Sequence, residues 1–362
     1  MSSFTRDDRR GPTATGRSTI DLDRVRERVV QHFEAIRDHE GPFGSYRRGP
    51  KQRTDLYASL DIAITHAVMG IDLRKTLHSE DRREWIEHIH SYLETEHNVV
   101  PPRWEFVDRL GHSPAHAHGM AIGAISSLAG SLEVDTHLYQ PIATLPHALG
   151  WLDREIDWSK LWAASHELWG RLLMFSFTSD RPEGWLEGVV DWLDAELDPG
   201  SGLWRKGVAP ADRHQPIGGA AHILPLYALH GRRHPYPEAL IDSILAAQLD
   251  NGRWYAIGEE TTNYLELDAL YLLDTARQWA PAYRTDDISA AADRYADHAL
   301  ADWHDAEQRI LFRHPHRILA AVGILGLLQR HCPDRVKGDT DWTDIFSDPR
   351  LCDAGAVESP HQ

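Results

Sequence analysis

Between residues 20 and 331 the polar and apolar positions repeat one order of parts. An amphipathic helical stretch comes first, then a turn with an acidic residue, a glycine and an aromatic. A polar loop follows, and then a second stretch that is apolar on nearly every side and ends at or near glycine. The first copy runs from Val25 through Glu40-Gly41-Pro42-Phe43 to Leu56–Met69 and Gly70. The second starts at Trp85, turns near Asn98–Trp104 and continues through His116–Leu128 to Gly130. A third hairpin lies in 139–176, without the glycine-aromatic turn. The fourth starts at Trp185, turns at Asp198–Trp204 and ends with Ile217–Leu229 and Gly231. The fifth starts at Pro237, turns at Gln248–Trp254 and continues with Tyr264–Ala276; the sixth pairs Ile288–Trp303 with His316–Gln329.

The second helices set the expected architecture. Ile217–Leu229 and Ile318–Leu328 are apolar all round, so they belong inside the molecule. Small residues such as Gly119, Gly123, Gly218, Gly219, Ala320 and Gly323 allow close packing between them. The amphipathic first helices belong outside. This predicts an all-α fold, an α/α toroid of about six helical hairpins with a buried inner ring and an amphipathic outer ring. An open solenoid of helix pairs shares the same repeat logic. The expected organisation is a disordered segment 1–19, a toroid 20–331 and a partly disordered tail 332–362.

The segment Gln248-Leu249-Asp250-Asn251-Gly252-Arg253-Trp254 resembles the Q-x-x-D/N-G-x-W repeat of the terpenoid cyclase and protein prenyltransferase superfamily. Asp198–Trp204 is similar with one extra residue. The resemblance implies a toroid, and it does not by itself imply a chemistry. The cyclase acid motif appears only in part, as Asp339-Thr340-Asp341-Trp342 in the tail. Asp268 matches the aspartate of the prenyltransferase zinc site, but Leu270 stands where its cysteine would be.

Composition narrows the function. The chain has 362 residues, 42% of them hydrophobic, and a net charge of −17 with only five lysines, a halophile-like acidic balance. Such a surface disfavours nucleic acid and anionic membranes. No stretch approaches the ~20 apolar residues of a membrane span, and Met1–Ser18 has no apolar leader, so a cytoplasmic protein is expected. Cys332 and Cys352 read as ordinary thiols.

Chemistry is expected where the loops meet the inner-helix N-termini, because those positions offer His, Tyr and carboxylates in several repeats. The catalytic candidates are His222, Asp268, Tyr264, His118, Asp61 and Tyr57. Tyr57 and Asp61, like Tyr264 and Asp268, are four apart and share a helix face. Asn263, Arg53, His116, His316, Arg317, Trp204 and Trp254 are candidates for holding substrate. Trp151, Trp158, Trp162 and Trp169 read as core. No motif fixes a cofactor; a divalent metal held by His and Asp is left open, since His112 and His116 are four apart but straddle Pro114. Basic loop residues (Arg47, Arg48, Lys51, Arg53, Arg205, Lys206, Arg213, Arg313 and Arg317) would suit an anionic ligand. A carbohydrate-active lyase or glycoside hydrolase acting on a small-molecule or oligosaccharide ligand is the first reading. An isoprenoid enzyme and a non-catalytic binding module are the alternatives.

Overall fold

The computed structural model describes residues 18–49, 52–92, 112–130, 136–204, 207–255, 262–304 and 311–352. Helices dominate them, as the periodicity predicts. They are α1 (Leu22–Ile36), α2 (Leu56–Val68), α3 (Ser79–His90), α4 (Pro114–Ser127), α5 (Leu145–Arg154), α6 (Leu161–Leu168), α7 (Trp185–Ala195), α8 (Gln215–Ala228), α9 (Pro237–Ala247), α10 (Tyr264–Trp279), α11 (Thr285–His304) and α12 (Pro315–His331). Helix α6 runs on through a wider π-helical turn, Trp169–Leu173, into Met174–Ser176.

Two kinds of helix are present. In α4, α8, α10 and α12 unbroken runs are buried: Ala115–Ile125, Ile217–Tyr227, Leu265–Ala276 and Ile318–Leu328. A helix buried on every face has protein on every side. The other kind buries one stripe, as α1 does with Leu22, Val25, Val29, Phe33 and Ile36. Each fully buried Leu, Ile or Val contributes about 1.5–3 kcal/mol, which makes the all-round helices the main source of stability. Helix α2 packs on α4, α4 on α6 and its π-turn, α6 on α8, α8 on α10, α10 on α12, and α12 on α2. Outside them α9 lies on α10, and α11 on α12.

Several helices start earlier than their first apolar residues suggest. Helix α3 begins at Ser79 rather than Trp85, and α11 at Thr285 rather than Ile288. The added turns are acidic (Glu80 and Asp81; Asp286 and Asp287), which suits the positive end of the helix dipole. Apolar periodicity does not see such turns.

The glycine-aromatic turns are packing devices. In Gln248–Trp254 the Leu249 N–H donates to the Arg253 carbonyl at 2.7 Å, and Gly252 adopts φ +88°, a conformation that glycine reaches without strain. Trp254 is wholly buried and its indole N–H donates to the Ile244 carbonyl. The related turn forms a two-strand hairpin, β2 (Leu197–Asp198) with β3 (Leu203–Trp204).

The described part of the expected tail, 332–352, packs on the helices at several points. Strand β4 (Val336–Lys337) pairs in parallel with β1 (Ile20–Asp21). Trp342, Phe346 and Leu351 are buried. Asp344, fully buried, accepts from the Phe346 and Ser347 N–H groups and from the Arg330 guanidinium. One carboxylate thus organises a stretch whose composition is polar. Residues 1–17 and 353–362 lie outside the described residues, as do Lys51, Arg205, Lys206 and the turn at Asn98–Trp104. Cys332 and Cys352 are buried and form no disulfide. Among the described residues no helix is long and apolar enough to cross a membrane.

Candidate functional site

A cavity of about 330 Å³ opens among the first turns of the buried helices. Its wall takes His116 and Met120 from α4, Trp162, Ala163 and His166 from α6, and Trp169 from the π-turn. Gln215 and His222 come from α8, Tyr264 from α10 and His316 from α12; His112 lies just ahead of α4. Ile345 and Phe346 of the C-terminal segment complete the wall. A pocket this size with a mostly apolar wall and a few polar groups suits a small ligand or one end of a longer one.

Local sequence explains why these side chains meet. Ser113 caps α4, its hydroxyl accepting from the His116 N–H, and so fixes the first turn that carries His116. Gly170 lets α6 touch α4 backbone to backbone: a Cβ there would fall 2.2 Å from the Ala115 carbonyl oxygen. No larger residue could bring His166 so near His116. Trp162, His166 and Trp169 stand at i, i+4 and i+7, which puts them on one helix face.

The polar groups form three hydrogen-bonded sets. In the first, His316 Nδ1 lies 3.0 Å from Asp61 Oδ1 and 3.2 Å from the Tyr264 hydroxyl, which donates to the His316 carbonyl at 3.0 Å. Asp61 is buried and reaches the cavity only through His316; burial pushes its carboxyl up, and His316 opposes that rise. Burial, with the Asp61 charge adding to it, holds the Tyr264 hydroxyl well above the usual phenol range. In the second set, the Tyr57 hydroxyl pairs with His116 Nδ1 at 3.0 Å. In the third, His222 Nδ1 lies 2.9 Å from the Gly218 carbonyl and 2.9 Å from Ser165 Oγ. A carbonyl accepts only, so Nδ1 of His222 carries the proton and Nε2 keeps its lone pair.

The histidines crowd together. Ring centroids are 4.3 Å apart for His112 and His116, 4.9 Å for His112 and His166, and 4.8 Å for His116 and His166. His316 stands 5.0 Å from His112, and His222 stands 5.1 Å from His166. Burial holds His112, His116 and His166 well below the ordinary imidazole pKa, and neighbouring histidine charges lower them further. Burial brings His222 to about 4. These four rings are therefore neutral at pH 7. His112, His116 and His166 each present a nitrogen within 4.8 Å of the others, the spacing of a metal-ligand set.

Of the residues expected from sequence, the structure gathers His222, Tyr264, His116 and His316 on the cavity wall, with Tyr57 and Asp61 bonded directly behind them. It does not bring the others there. His118 is buried two residues from His116 but sits beside Tyr139, ring centroids 6.2 Å apart. Asp268 is fully buried against the Trp162 indole, off the cavity wall, and burial holds its carboxyl well above the carboxylate range. Trp204 packs on Tyr227 and His234, and Trp254 on Tyr295; both are wedges between helices rather than ligand platforms. Asn263 caps α10 by accepting from the Leu265 and Glu266 N–H groups. Arg53 is exposed and Arg317 half-buried, and neither lines the cavity.

Trp169 is buried in the core as expected and also lines the cavity, Trp162 is half-buried on the cavity wall, and His166 is a wall residue that the sequence reading does not single out. Its signal was present in the Trp162, His166 and Trp169 spacing, in the hairpin that lacks the turn motif. Arg47 and Arg48 are bound by Asp38 and Asp55, and Arg213 by the Ala247 carbonyl, so much of the loop charge is already used. No protein-family model, curated protein or solved structure matches the chain.

Proposed function

We propose that the chain is a lyase that removes a proton next to a carboxylate of a sugar acid, working at the inner-helix N-termini of an α/α toroid. The cyclic order of helix contacts, from α2 through α4, α6, α8, α10 and α12 back to α2, supports the closed ring. The observation that carries the function is the Asp61–His316–Tyr264 set on the wall of an aromatic cavity. With Nδ1–H of His316 donating to Asp61, Nε2 would be the nitrogen that acts as base toward the cavity. The C–H proton passes to Nε2, its electron pair forms a carbon–carbon double bond, and the bond to the leaving oxygen breaks. That oxygen takes the Tyr264 hydroxyl proton. The resulting phenolate is disfavoured in so buried a place and takes the Nδ1 proton of His316, 3.2 Å away; the ring then loses its Nε2 proton to solvent and regains one at Nδ1, which restores the base. Trp162 and Trp169 supply flat apolar surface for a sugar ring.

A lyase is favoured over a hydrolase because hydrolysis of a glycoside asks for two opposed carboxyl groups. Asp61 lies behind His316 and Asp268 beside Trp162, and no carboxylate is among the described lining residues. Met120, Ile345 and Phe346 favour an isoprenoid ligand as the second reading. The test is incubation with a panel of uronate-containing oligosaccharides, followed by the ultraviolet absorbance of the new conjugated double bond. His316→Gln and Asp61→Asn should each slow kcat by ~10²–10⁴-fold with helical content unchanged. No unsaturated product from any uronate, or a His316→Gln variant at full rate, overturns the reading. Tryptophan fluorescence that responds to a prenyl diphosphate but to no uronate would replace it with the isoprenoid one.

A further inference from the structure

We propose that His112, His116 and His166 form a three-histidine site for a zinc-class divalent metal, with a fourth position open to the cavity. The three rings come from a segment ahead of α4, from its first turn and from the middle of α6, and their ligand nitrogens lie within 4.8 Å of one another. Three imidazole nitrogens gathered this close make a donor set of the kind a divalent cation occupies. A zinc ion stands about 2 Å from each histidine nitrogen, so small ring rotations close the set.

Three further observations agree. Nδ1 of His166 is buried with no hydrogen-bond partner among the described residues, as a nitrogen kept for a ligand would be. Nδ1 of His116 is held by the Tyr57 hydroxyl, which orients the ring and leaves Nε2 for the metal, the usual outer-shell arrangement of a histidine ligand. The backbone contact at Gly170, with Ala115, fixes the distance between the two helices. Imidazole-only ligation selects zinc and its first-row neighbours, while magnesium and calcium ask for oxygen. Three protein ligands and an open position describe a catalytic rather than a structural zinc site.

Joined to the lyase reading, on which this part rests, the metal would bind the substrate carboxylate. It would draw charge from the carbon acid that His316, 5.0 Å from His112 between ring centroids, deprotonates. The site itself does not depend on that reading.

The experiment uses the full chain without a polyhistidine tag, stripped with a chelator and titrated with zinc chloride alone. Bound metal is counted by elemental analysis and affinity by calorimetry. One ion per chain is expected. His116→Ala and His166→Ala should weaken binding by more than ~100-fold, and Tyr57→Phe by about 10–100-fold, as loss of an outer-shell partner does. His147→Ala, at an exposed histidine, should change nothing. Should the alanine variants unfold, cobalt uptake by the wild-type protein still decides, through the visible absorption of a tetrahedral nitrogen site. Uptake of one ion, lost in the variants, upholds the site whether or not elimination is seen. A folded wild-type protein that takes up no zinc or cobalt, or variants that bind as tightly as it does, overturns the site even if the lyase is active.

Discussion

The turn that carries the clearest sequence motif and the hairpin that has no such turn serve different ends in this molecule. Gln248–Trp254 ends in a wholly buried tryptophan whose backbone N–H donates to Glu266, and its atoms serve the contact between α9, α10 and α11. The segment 161–176 has no such turn, yet it supplies Trp162, Ala163, His166 and Trp169 to the cavity. A repeated motif is repeated because each copy solves the same packing problem. A site needs residues that differ from copy to copy, so its members are the inner-helix residues, Tyr264 of the same hairpin included, rather than the repeated turn itself.

The largest effect expected from this contrast is on stability. Trp254→Ala should lose about 3–5 kcal/mol, because a large fully buried ring is removed and its cavity cannot collapse within a helix-packed core. A denaturant midpoint measures the loss. Zinc uptake per folded chain should not change. A variant of wild-type stability would deny the turn its packing role, and one that folds but no longer binds metal would join the two regions that are separated here.

A second effect belongs to the motif region alone. Glu266 is buried and accepts from the Trp254 and Tyr255 N–H groups, with Arg253 3.5 Å away. Burial pushes its carboxyl up from 4.5 to about 7, and those neighbours oppose the rise only in part. A folded pKa above the unfolded one means that the folded chain holds the extra proton. The stability it confers is full below pH 4.5 and is lost as pH rises through about 7. The shift corresponds to about 3 kcal/mol. Melting curves between pH 4 and 8 should fall more steeply for the wild type than for Glu266→Gln. Parallel curves would place the Glu266 pKa near its unfolded value.

The all-helical character was legible in the sequence, because a helix buried on every face is written as an unbroken apolar run, and α8 and α12 are such runs. Part of the candidate site was legible as well: His116, His222, Tyr264 and His316, expected near helix N-termini, lie on the cavity wall, and Tyr57 and Asp61 lie just behind it. What was not legible depends on rotation and on distant contact. Asp268 shares a helix with Tyr264 at i+4, yet the cavity takes only the first, because Trp162 stands against the second. Phe346 lies far along the chain in a polar segment. Nothing local says that Asp344 will gather two backbone N–H groups and Arg330 to hold that segment against the cavity.

The smallest expected effect makes the sharpest comparison. His116 and His118 stand two residues apart on α4, both buried and the same in chemistry. On a helix such residues point about 200° apart, so the cavity can hold only one of them. His116 meets Tyr57, His112 and His166, whereas His118 meets Tyr139. His118→Leu replaces a ring by an apolar side chain of similar size, and stability should move by less than about 1.5 kcal/mol. Zinc affinity and elimination should both stay at wild-type values, while His116→Leu should lose the metal. Equal loss in the two variants would mean that the helix tolerates no change at either position, and the assignment of His116 as a ligand would then need evidence from the metal's own spectrum. Loss at His118 alone would turn α4 about its axis and move the site to its other face.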